Sequence, residues 1–179
     1  MLLINRIVKT SSALVVLLAV AVGSAFADNA KRFSNQLSDF KQTAAELRRD
    51  ADLLDSHTRN IGLSWQTHIY QLNVLRNQVN ELGKTLADLE AQRAIATDGQ
   101  SMALEHARPH LVAIAQNVSQ AIELVRENRS SVYRPGYTDL VADIYDHADD
   151  LHNKVDTILD FEASRVRLDK LELTPLQGS

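Results

Sequence analysis

The sequence predicts an all-α protein: an antiparallel up-down-up-down four-helix bundle that follows a cleaved signal peptide. Three observations predict it. Apolar residues recur at alternating spacings of three and four along four separate stretches, the pattern of packed helical seams. Glycine and proline number only six and three in 179 residues, so little interrupts helix. The breaks between stretches are short and carry turn residues, which suits antiparallel neighbours.

The N-terminus comes first. Arg6 and Lys9 form a basic head, and an apolar run, "ALVVLLAVAV", covers residues 13–22. "GSAFA" follows, with the small residues Ala25 and Ala27 flanking Phe26. This pattern predicts a signal peptide over residues 1–27, cut before Asp28. The run is about ten residues long, against roughly 20 for a spanning helix. No later stretch is longer, so the mature chain is expected to make no stable membrane insertion and to be periplasmic or secreted. The chain has no cysteine, which excludes disulfides, thiolate metal sites and a lipoprotein anchor.

Cleavage leaves 152 residues, the size of one domain. It removes two basic residues and no acidic one, taking the net charge from −4 to −6. An acidic chain without a basic cluster argues against nucleic acid and anionic lipid as partners.

The bundle domain is expected over residues 28–168, with a flexible C-terminal tail over residues 169–179. The first stripe is Phe33, Leu37, Phe40, Ala44, Leu47, Ala51 and Leu54. The second runs Trp65, His68, Leu72, Leu75, Val79, Leu82, Leu86 and Leu89. Leu104, Ala107, Leu111, Ile114, Val118, Ala121 and Val125 make the third, and Val141, Ile144, Ala148, Leu151, Val155 and Ile158 the fourth. The heptad phase continues from Leu54 through Thr58 to Ile61, so one continuous first helix is the alternative. Asn60 and Gly62, able to take left-handed backbone geometry, favour a turn there, with Ser64 as the next N-cap. Asp98-Gly99 predicts the second turn, with Ser101 as cap. Pro135-Gly136 predicts the third. Gly83, inside the second stripe, is expected to mark a close helix–helix approach. Pro109 is expected to kink the third helix or mark its start.

Candidate chemistry rests on six histidines. His68 lies on the second seam and His147 beside seam residue Ala148 on the fourth. These helices are diagonal in such a bundle, so the two imidazoles are a candidate haem or metal pair facing the centre. The competing reading is that His68 is a hydrogen-bonded core residue packed by Trp65. His106 and His110, four apart, share a helix face and form a second candidate metal pair. Asp139, Asp143, Asp146 and Asp150 make an acidic stripe beside His147. Asp143 and Asp146 are its candidate cation ligands, and a solvated charged face is the plainer reading. The chain has no Glu-x-x-His, which excludes a ferritin-like di-metal site. "GKT" at residues 83–85 lacks the first glycine of a phosphate loop, since Gln78 stands there. No nucleophile, base or cleft carboxylate pair is evident, so neither an enzyme nor a resident cofactor is expected. Trp65, Tyr133 and Tyr137 flank the turns and are the candidate interaction residues.

The run "SWQTHIYQLNVLRNQVNELGKTLADLEAQR" over residues 64–93 resembles a segment of an uncharacterised family of short secreted bacterial helical proteins. The resemblance implies a signal peptide and a helical bundle. It implies no activity, and it marks Trp65, His68, Gly83 and Lys84. Periplasmic haem-binding four-helix bundles share the size, but their methionine on the first helix has no counterpart here. Stress-response chaperones carry LTxxQ motifs in a helical hairpin, whereas this chain has one "LTPLQ" in its tail. The expected function is therefore a non-catalytic structural or interaction role, with an unknown protein or a second copy as partner. The alternatives are a metal- or haem-binding bundle and a holdase-like chaperone.

Overall fold

A computed structural model describes the backbone of residues 11–172 and the side chains of residues 28–171. The basic head and residues 173–179 lie outside the described residues, as do the side chains of the apolar run and of the cleavage motif. Four helices follow in order: α1 (Ser11–Thr58), α2 (Trp65–Ala91), α3 (Asp98–Glu127) and α4 (Pro135–Glu172). Short 3₁₀ turns at Arg93–Ile95 and Arg129–Tyr133 precede α3 and α4.

Each helix packs on its chain neighbour, and α1 closes the ring against α4. The polar pairs give the directions. Lys41 meets Asp156 at 2.5 Å and Arg48 meets Asp149 at 2.7 Å, so α1 and α4 run antiparallel. Gln92 reaches Gln36 and Gln78 reaches Asp50, so α1 and α2 do too. The protein is an all-α four-helix bundle. The four sequence stripes supply its core, from Phe33 and Phe40 through Leu72, Leu89 and Ile114 to Leu151 and Val155, while Trp65 and Ile158 are only half-buried. Each such side chain contributes roughly 1.5–3 kcal/mol of burial, which dominates helix stability over propensity.

The structure breaks α1 from α2 at residues 59–64, so the continuous-helix alternative does not hold. The turn needs no left-handed residue, and no described residue has a positive φ. Instead the Asn60 side chain accepts the Gly62 N–H at 3.1 Å, an Asx turn. Ser64 stands at the N-cap position, but its side chain makes no capping bond. At α3 the cap is Thr97 rather than Ser101. Thr97 and Gln100 form a reciprocal capping box, and Asp98 and Gly99 are already helical. Pro135 is not a turn residue either. It opens α4, where its missing N–H costs nothing. Pro109 lies inside α3, well past its start. α4 runs four residues past the expected boundary, since "DKLE" is a good helix former and the first breaker is Pro175.

Gly83 and Gly99 both depart from their expected roles. Gly83 is exposed, and a Cβ there would meet nothing within 4 Å, so it marks no close approach. The close approach is at Gly99, where a Cβ would stand 2.7 Å from a Glu162 carboxylate oxygen and 3.1 Å from its Cβ. Gly83→Ala is therefore expected to stabilise by about 0.5–1 kcal/mol, raising the melting temperature by a few degrees. Gly99→Ala is expected to cost about 1 kcal/mol, because Glu162 is buried and must shift. Thermal melts of the two variants check both signs.

Candidate functional site

Three groupings of side chains stand out. The first lies at the end of the bundle where α1 stops and α2 and α4 begin. His57, His68 and Tyr137 gather there. His68 is 1 % exposed and Tyr137 is fully buried. The Tyr137 hydroxyl and His68 Nδ1 share a hydrogen bond of 3.0 Å, and His57 packs edge-on to the His68 ring at 5.9 Å. His57 Nδ1 and His68 Nε2 are buried without a hydrogen-bond partner. Burial pushes the pKa of both imidazoles down, and the neighbouring His57 lowers His68 further. Burial also pushes the Tyr137 phenol above its usual range. All three groups are therefore held neutral near pH 7.

This arrangement corrects two expectations. Tyr137 is a core residue, not an interaction residue. The first turn of α4 turns it inward onto the seam histidine. His68 and His147 are not a pair. Tyr137, beside His68, precedes His147 by ten residues on α4, about 15 Å of helix. The core-histidine reading of His68 stands, with Tyr137 as its partner. Trp65 packs at the edge of the core. It is half-buried beneath the Arg129 guanidinium, 4.6 Å from its ring centre. Tyr133 is half exposed and donates its hydroxyl to the Leu63 carbonyl at 2.8 Å. Trp65, Arg129, Leu63 and Tyr133 thus tie the two loops together over the end of the bundle.

The second grouping lies midway along α3 and α4. His110 Nδ1 stands 3.3 Å from His147 Nδ1. Lys154 Nζ is 3.0 Å from His110 Nε2 and 3.2 Å from Asp150, and Asp150 lies 3.9 Å from His110 Nδ1. Lys154 can only donate, so His110 Nε2 accepts and its proton is on Nδ1, directed at His147. Burial, and then the Lys154 charge, lower the His110 pKa. The structure thus pairs one member of each sequence-derived histidine set. His106 and His110 do not act together. Positions four apart differ by about 40° around a helix, which leaves His106 exposed while His110 turns toward α4. Asp143 and Asp146 are exposed, on the solvated face of α4.

The third grouping is at the opposite end of the bundle from Tyr137. A cleft of about 350 Å³ lies between the start of α3 and residues 157–165 of α4, lined by Met102, Ile158, Phe161 and Arg165. Glu162 forms its inner wall. Glu162 is 8 % exposed and accepts a hydrogen bond from the Thr97 hydroxyl, which itself caps α3. Phe161, Leu168 and Leu171 are 70, 61 and 66 % exposed, and Met102 is 48 % exposed. None of these was singled out from the sequence. Glu162 takes the seam position four after Ile158, and Phe161, Leu168 and Leu171 repeat at spacings of seven and three. Only Leu171 lies beyond the expected end of the bundle at residue 168.

Among the described residues no helix is long and apolar enough to cross a membrane. No protein-family model, curated protein or solved structure matches the chain.

Proposed function

We propose that this is a non-catalytic interaction protein of the bacterial periplasm or cell exterior, released by signal cleavage, which binds a protein partner through the cleft end of α4. One observation carries the reading. Phe161, Leu168 and Leu171 lie exposed along one side of α4, and Phe161 lines an apolar cleft that also holds Met102. Single exposed leucines are ordinary on a soluble domain, but large apolar side chains spaced along one side of a helix beside an apolar cleft suit a contact surface. These side chains are bordered by Asp160, Arg165, Arg167 and Asp169, charges of both signs that suit a polar rim. The opposite end, by contrast, spends its aromatics on its own loops.

The test is co-isolation from the native cell envelope with wild type, with Phe161→Asp/Leu168→Asp, and with Tyr133→Ser at the other end. The cleft variant is expected to lose a partner that wild type and Tyr133→Ser both retain, while its stability stays within about 0.5 kcal/mol of wild type. Equal recovery with all three chains would refute the reading.

A further inference from the structure

We propose that His110 and His147 form a zinc-binding site that clamps α3 to α4, with Asp150 as third ligand and Lys154 as a competing cation. The geometry carries it. Two imidazole nitrogens, each about 2.0–2.1 Å from a tetrahedral zinc ion, stand about 3.3–3.4 Å apart. His110 Nδ1 and His147 Nδ1 are 3.3 Å apart, from two different helices. The ring pair is tilted, with centres 5.5 Å apart, so the rings meet at their nitrogens rather than by stacking. The His110 side chain is only 12 % exposed, so its rotamer is already restricted.

Among the described residues, no three histidine, aspartate or glutamate side chains stand close enough together, as they are, to hold a metal ion. The two imidazoles are the prearranged part. Asp150 lies 3.9 Å from His110 Nδ1 on an exposed side chain, and it becomes the third ligand by leaving Lys154 and turning toward the ion. Water completes the fourth position, as at open zinc sites. In the metal-free protein the Nδ1 proton of His110 occupies the space between the rings, held there by Lys154 on Nε2. Zinc replaces that proton. His110 then carries its hydrogen on Nε2, and the Lys154 bond is lost. Lys154 therefore opposes the metal twice, by favouring the wrong tautomer and by its charge. The inference is independent of the cleft reading, since the site lies on another part of α4.

The experiment is calorimetric titration of zinc chloride into the tag-free, chelator-treated secreted chain at neutral pH, with thermal melts alongside. Wild type is expected to bind one zinc and to melt higher with it, because the ion binds only the folded pair. His147→Gln should weaken binding by about tenfold or more, His106→Ala should leave it unchanged, and Lys154→Ala should tighten it. Absence of saturable binding overturns the proposal. So does loss in His106→Ala with retention in His147→Gln, which would assign the metal to a pair within α3. Weakened binding in Lys154→Ala would overturn the proposed competition.

Discussion

Tyr137→Ala is expected to cost about 3–5 kcal/mol of folding stability, against a total of roughly 5–15 kcal/mol for a domain of this kind. The ring is fully buried where α4 begins, against the start of α2. Truncation removes its apolar contacts and leaves a cavity that three converging helices cannot collapse to fill. It also strips His68 Nδ1 of its partner, and His68 Nε2 already has none. Tyr137→Phe isolates that second effect and is expected to cost about 1–3 kcal/mol, the desolvation of a buried group left unmade. Adding His68→Leu to Tyr137→Phe should recover much of the loss, because both polar partners then go together. Tyr133→Ala, at an exposed position, should cost far less. Urea unfolding of the four chains checks the order. A Tyr137→Ala loss no greater than that of Tyr133→Ala would show that Tyr137 is not the core residue described.

Acid is expected to unfold the protein from an early pH. His57, His68 and His110 all have native pKa values below the ordinary 6.5 of the unfolded chain, chiefly because they are buried. Above about pH 6.5 both states are neutral, and these groups leave stability unchanged. Below it the unfolded chain takes up protons that the native bundle refuses. Stability then falls as pH falls, by up to about 1.4 kcal/mol per pH unit for each histidine, until the lowered native pKa values are reached. The His57–His68 pair should feel this most, since two charges would share one buried end without partners for His57 Nδ1 and His68 Nε2. Melting temperatures are expected to drop steadily from about pH 7 to about pH 5, with a shallower slope in His68→Leu. A flat or rising profile over that range would contradict neutral burial of the histidines.

The fold was legible in the sequence because core burial obeys a simple period. Every apolar residue of the first and third stripes is buried. The same period placed His68 on the seam but could not name its partner. Tyr137 comes from 69 residues away, and three-dimensional packing alone brings it there. Turn chemistry misled in a regular way. Pro135 and Asp98-Gly99 read as turns, yet each belongs to the first turn of a helix, where proline and small or acidic residues are equally at home. Gly83 and Gly99 look alike in one dimension, and only Glu162 on another helix separates them. The His110–His147 pair escaped because each was matched to a different histidine. The choice between flanks of a seam depends on which neighbour the flank faces. The side of α4 that carries Phe161, Leu168 and Leu171 is not legible from the seam period, because these residues lie off the apolar stripe that ends at Val155 and Ile158.

The most direct test of the central claim is site-specific photo-crosslinking in the producing cell. A benzophenone side chain is placed at position 161, in the cleft, or at position 133, at the closed end. The account predicts a discrete crosslinked protein adduct from position 161 and none from position 133. Adducts from position 133 alone, or from neither position, would contradict the assignment of the α4 cleft as the working surface.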